Sequence, residues 1–148
     1  MDFTRNYGRL FIKLASTGFV LLFVYAASSK LMDFHGFRTQ LGQSPIVTAY
    51  ADAVAWGIPL LEILIATLFF SRKWTLLAFY ASFALMAMFT SYIVLVLNFS
   101  DFIPCSCGGV LEELGWTEHI VFNLGFVALA LVAILIIEKG RPLKTRLP

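Results

Sequence analysis

Two cysteines, and only two, occur in this chain, and they stand one residue apart in the stretch Pro104-Cys105-Ser106-Cys107-Gly108-Gly109. Isolated cysteines are usually small core hydrophobes. A pair split by one serine, after a proline and before two glycines, suggests instead thiols that must face each other. A disulfide wants its Cα atoms about 4.4–6.8 Å apart. Residues i and i+2 of an extended chain lie roughly 6.6 Å apart, at about 3.3 Å per residue. Closing Cys105 on Cys107 therefore requires a bend at Ser106. Pro104 fixes the entry to that bend, and Gly108 and Gly109 supply unusual backbone angles beside it. A strained, exposed disulfide is readily reduced and belongs to the labile or catalytic class. Redox exchange is the favoured reading, with a static structural bridge and metal binding left open beside it.

Metal binding needs more ligands than two sulfurs. His35 and His119 are the chain's two histidines, and Cys105, Cys107, His35 and His119 form a conceivable Cys2His2 set or a soft copper(I) site. Their spacing matches no standard zinc pattern, so no metal is expected. His119 reads either as a residue at a wet helix start or as a group that lowers a cysteine pKa and moves a proton during exchange.

Glu62 is the ionisable residue deepest in an apolar run. It lies about ten residues into its span, roughly 15 Å down at 1.5 Å per residue. Ionisable groups at such depth face a bundle interior and mark proton or ligand sites. Glu62 is expected to point inward and to be neutral at pH 7, because desolvation disfavours the carboxylate and its own span offers no cationic neighbour. It is the candidate cofactor-binding residue, and a membrane quinone is the candidate cofactor. Lys30, at a span end, is expected to snorkel toward water, with pairing to Asp33 or Asp52 as the alternative. Tyr25, Trp56, Pro59 and Tyr92 read as packing and interface residues.

These residues need elements to hold them. The chain has 148 residues, 59% hydrophobic and 14% charged, with a mean hydropathy of +0.84. A soluble domain averages about 45–50% apolar and about 25% charged. The excess lies in four runs, about 10–31, 53–70, 74–99 and 120–137, each near the roughly 20 residues that cross a bilayer as helix. The runs do not alternate as barrel strands do. Short connections predict one all-α domain, residues 1–148: an integral membrane four-helix bundle of up-down-up-down topology. Arg5, Arg9 and Lys13 ahead of the first run, and Ala26-Ala27-Ser28 near its end, imitate a signal peptide. The run is longer than a typical signal core, so it is expected to remain as the first membrane helix.

Charge sets the expected orientation. Arg5, Arg9, Lys13, Arg72, Lys73, Lys139, Arg141, Lys144 and Arg146 fall on one side of the hairpin arrangement, and only Lys30 and Arg38 on the other. By the positive-inside rule both termini are cytoplasmic. The connections of about 32–52 and 100–119 then face outward, the second carrying Asp101, Glu112, Glu113 and Glu118 and no basic residue. That places the cysteines in a compartment where disulfides persist.

Further residues carry a family likeness. Ala26-Ala27-Ser28-Ser29-Lys30-Leu31 ends the first span, and Phe34, Phe37 and Pro45 follow. Pro59-Leu60-Leu61-Glu62 lies in the second span. Cys105-Ser106-Cys107-Gly108-Gly109 precedes the fourth, with Trp116, His119 and Asn123 after it. The layout resembles the MauE/DoxX group of redox-associated membrane proteins, the MauE branch in particular, over nearly the whole chain. The resemblance implies disulfide handling outside the cytoplasm, often beside a thioredoxin-like partner. The architecture is also similar to quinone-linked thiol oxidoreductases. Those use Cys-x-x-Cys and a second cysteine pair, both absent from this sequence.

The leading expectation is a bacterial inner-membrane protein that exchanges disulfides through periplasmic Cys105 and Cys107, helped by His119. Its partner would be a thioredoxin-like or periplasmic client protein. The alternatives are a non-catalytic subunit or assembly factor of a larger membrane complex, and a metal-handling protein. The lipid bilayer is an expected partner; nucleic acid is not.

Overall fold

A computed structural model describes residues 3–44, 47–99 and 116–140. The described residues form five α-helices and no strand: α1 (Phe3–Met32), α2 (Phe34–Gln43), α3 (Ala51–Leu68), α4 (Thr75–Phe99) and α5 (Trp116–Lys139). A single 3-10 turn, Thr48–Tyr50, leads into α3. Four segments are long and apolar enough to cross a membrane: Asn6–Met32, Thr48–Leu68, Thr75–Asn98 and Thr117–Lys139, with mean hydropathies of 1.9, 1.6, 1.9 and 2.9. The expected all-α bundle is therefore present, and it includes one helix within the connection of about 32–52.

That helix is α2. Its composition hides it, because two of its ten residues are glycine and its charge pattern is polar. Asp33 starts it, the carboxylate accepting a hydrogen bond from the Gly36 amide at 3.1 Å, as a helix N-cap does. A Cβ at position 36 would collide with that carboxylate. Phe37 and Leu41 then bury against Ala55 of α3. Ser44 closes α2 and is itself anchored from α4 by the Tyr92 hydroxyl at 2.8 Å.

The long helices form a ring in which α1 packs on α3 and α5, and α4 packs on α3 and α5. Each presents a buried stripe at helical spacing. On α1 it runs Ala15, Phe19, Phe23, Ala27, Lys30; on α3, Ala55, Pro59, Glu62, Ala66. Small residues on these stripes let helices approach closely where lipid supplies no hydrophobic drive. Phe19 sits at the centre. Its ring lies 5.8, 5.9, 5.9 and 5.2 Å from those of Phe23, Phe69, Phe79 and Phe126. Opposite faces carry exposed Leu14, Leu21, Leu64, Val121 and Leu135. A water-facing surface this apolar would aggregate; lipid is its solvent.

Candidate functional site

The inward stripes are apolar over most of their length and turn polar near one end of the bundle. That end is where α1 and α4 finish and α3 and α5 begin, so it is also the end from which the segment bearing Cys105 and Cys107 departs. Those two residues lie outside the described residues.

Lys30 is the node. Its ammonium lies 2.9 Å from Oε1 of Glu62, and both side chains are buried, with side-chain exposures of 9% and 2%. The same nitrogen donates to the Ala26 carbonyl at 3.3 Å. It also faces the rings of Phe37 and Phe89, 5.9 and 5.8 Å from their centroids, a geometry that favours a desolvated cation. Residues of α1, α2, α3 and α4 thus meet at one charge. His119, half-buried in the first turns of α5, lies within electrostatic reach of Lys30. Asn123, one turn further along α5, is buried.

Two expectations are corrected here. Glu62 does point into the bundle, but it forms an ion pair with Lys30 of another span, which contradicts the expected unpaired, neutral carboxyl. Lys30 does not snorkel toward the helix end. Side chains on a helix lean toward its N-terminus, and this one follows that lean back to the level of Ala26. Its alternative partners are occupied: Asp33 caps α2, and Asp52 pairs with Arg38 through a two-pronged contact, one prong at 3.0 Å. Glu62 is also less central than its place in α3 implies. The first turns of α3 pack on α2, so Glu62 comes level with the last turns of α1.

Glu62 Oε2 is buried and has no hydrogen-bond partner among the described residues. Unsatisfied buried acceptors are rare and call for an explanation. His35 is exposed on α2. Among the described residues no three His, Cys, Asp or Glu side chains come close enough to hold a metal ion. The Tyr92–Ser44 bond and the Lys30–Glu62 pair are not foreseeable from sequence spacing. The buried stripe Ala55, Pro59, Glu62 was visible at its spacing, but its partner lies on another helix.

The family model described as methylamine utilisation protein MauE matches residues 8–136, a range that takes in all four candidate spans nearly whole and the cysteine stretch. The chain belongs to the MauE family. No curated protein and no solved structure matches it. In this MauE-family chain Lys30 pairs with Glu62, and His119 lies within electrostatic reach of Lys30, toward the end of the bundle where α4 finishes and α5 begins. Its two cations at that end, Lys30 and Arg38, are both neutralised by carboxylates. The exceptions to the one-sided charge distribution therefore carry no free positive charge there.

Proposed function

We propose that this MauE-family protein exchanges thiols and disulfides through Cys105 and Cys107 on the periplasmic side of a bacterial inner membrane. Its partner would be a thioredoxin-like or secreted client protein. The observation that carries the reading is the gathering of Lys30, Glu62 and His119 at the bundle end between whose helices the cysteines lie in sequence. Acid–base groups beside a thiol pair are what exchange requires, because the thiolate is the attacking form.

In one direction, a thiol of the pair gives its proton to His119 and its sulfur attacks the partner's disulfide. The partner's S–S bond breaks, and its leaving sulfur takes the proton. The second cysteine gives up its proton in turn, its thiolate attacks the mixed disulfide and forms the Cys105–Cys107 bond, and the partner's second sulfur takes that proton, leaving the partner as a dithiol. Run in reverse, the same steps oxidise a client and leave Cys105 and Cys107 reduced. A membrane quinone, when bound, supplies an acceptor for two electrons and two protons. Glu62 Oε2, a buried acceptor in want of a donor, is the atom suited to a quinol hydroxyl.

The test is labelling with a membrane-impermeant maleimide in intact cells stripped of their outer barrier. Expected is labelling of Cys105 or Cys107 from the periplasmic face after mild dithiol, and little before it. Labelling only after the inner membrane is broken contradicts the orientation. Thiols already free contradict a standing disulfide. Stoichiometric copper or zinc, lost on Cys105→Ser, replaces exchange with metal handling.

A further inference from the structure

The opposite end of the bundle holds a second polar feature that thiol chemistry does not use. A cavity of about 290 Å³ opens there, lined by Ile12 of α1, Arg72 and Lys73 of the α3–α4 turn, Thr75 and Leu76 of α4, and Ile137 of α5. Its wall is divided by chemistry. Ile12, Leu76 and Ile137 form an apolar side, each half-buried and packed against the bundle core. Arg72 and Lys73 stand exposed at the mouth.

Neither cation forms an ion pair among the described residues. Lys73 lies over the ring of Trp74, 5.4 Å from its centroid. Trp74 is 46% exposed, the placement of an aromatic at a membrane–water boundary. Beneath them α4 begins, and the first amides of a helix point outward with no acceptor of their own helix. Arg9, Lys13 and Lys139 are exposed at the same end. Among the described residues the one carboxylate near them is Glu138, which already has an interaction of its own.

We propose that this cavity binds the headgroup of an anionic phospholipid of the adjoining leaflet. The phosphate would sit between Arg72 and Lys73, where a guanidinium offers a two-pronged donor set. An acyl chain would lie along Ile12, Leu76 and Ile137. A cavity with both a cationic mouth and an apolar wall between spanning helices fits a lipid better than a free anion, which has no use for the wall. Basic pockets between spanning helices take anionic headgroups in this way.

Trp74 supplies the readout. In a Trp56→Phe/Trp116→Phe background it is the chain's single tryptophan, and brominated acyl chains quench tryptophan on contact. The full chain is placed in phosphatidylcholine nanodiscs doped with brominated phosphatidylglycerol or brominated phosphatidylcholine. Expected is a preference of about fivefold or more for the anionic lipid, from roughly 1 kcal/mol per basic contact. Arg72→Gln should remove most of that preference. Lys139→Gln, at the same end but outside the cavity, should leave it. Equal quenching by both lipids overturns the proposal. So does an equal loss from Lys139→Gln, which would mean diffuse surface attraction. Displacement of the lipid by millimolar inorganic phosphate would make the cavity a free-anion site instead. Should the double phenylalanine background fail to fold, native mass spectrometry of the unaltered chain and its Arg72→Gln variant counts retained phosphatidylglycerol directly.

Discussion

Lys30 reaches back along its own helix to meet Glu62, 32 positions later in the chain, at 2.9 Å. The ammonium also touches the Ala26 carbonyl and lies 5.9 and 5.8 Å from the ring centroids of Phe37 and Phe89. One buried cation thus clamps α1 to α3 and fixes how α2 and α4 close over them. Burying two charges is costly, and a close pair offsets that cost only while both members are present.

Removing one member should therefore hurt more than removing both. Lys30→Met and Glu62→Gln are each expected to lower stability, by up to about 3–5 kcal/mol for a buried pair left half-made. The double variant should recover much of the loss. A double-mutant cycle on thermal unfolding in detergent checks this. Additive losses would mean that the two side chains do not interact energetically.

Phe19 and Leu21 separate packing from mere hydrophobicity. Phe19 is wholly buried among four other rings, whereas Leu21 is 66% exposed. Lipid solvates leucine as well as protein does, so Leu21→Ala should leave unfolding in bicelles nearly unchanged. Phe19→Ala removes ring contacts that lipid cannot replace and should cost about 3–5 kcal/mol. Comparable losses would contradict the assignment of the lipid face.

On α2 the cap and the surface pair should behave differently. Gly36→Ala forces the Asp33 carboxylate off the amide it caps, a loss of about 1 kcal/mol. Arg38→Gln breaks an exposed pair in which water replaces the partner, so the melting temperature should stay within error. A reversed order would contradict the role given to Asp33.

Much of this architecture was legible because membrane spans announce themselves locally. The runs at about 10–31, 53–70, 74–99 and 120–137 differ from the helices by a few residues at their ends, apart from the longer N-terminal reach of α1 to Phe3. The helix α2 was not legible, since its glycines and polar residues read as a loop. Its signals were the Asp33 cap and the Phe37–Leu41 spacing. Lys30–Glu62 was hidden for a different reason. Neighbours in sequence offered Asp33 and Asp52 as partners, and only the packing shows both already engaged. Cys105 and Cys107 lie outside the described residues, and their proposed role rests on the chemistry of a Cys-x-Cys pair.

His119 is the residue proposed to move a proton during exchange. His119→Ala should slow disulfide exchange several-fold without changing membrane insertion, because it removes a proton acceptor while leaving the spans intact. Exchange rates across pH with a small dithiol, measured beside a protease-protection assay of insertion, check both halves. Unchanged rates and pH profile would remove His119 from the exchange.

The most direct measurement is capture of the reaction's own intermediate. A Cys107→Ala variant keeps one thiol and loses the one proposed to resolve the mixed disulfide. Acid-quenched, alkylated membranes run on non-reducing gels should then show the protein in a dithiol-sensitive adduct with a second protein. The same gel should show no adduct for the double variant Cys105→Ala/Cys107→Ala. Absence of any adduct from either single-cysteine variant, with client oxidation and growth normal in both, would contradict thiol–disulfide exchange and leave a structural subunit in its place.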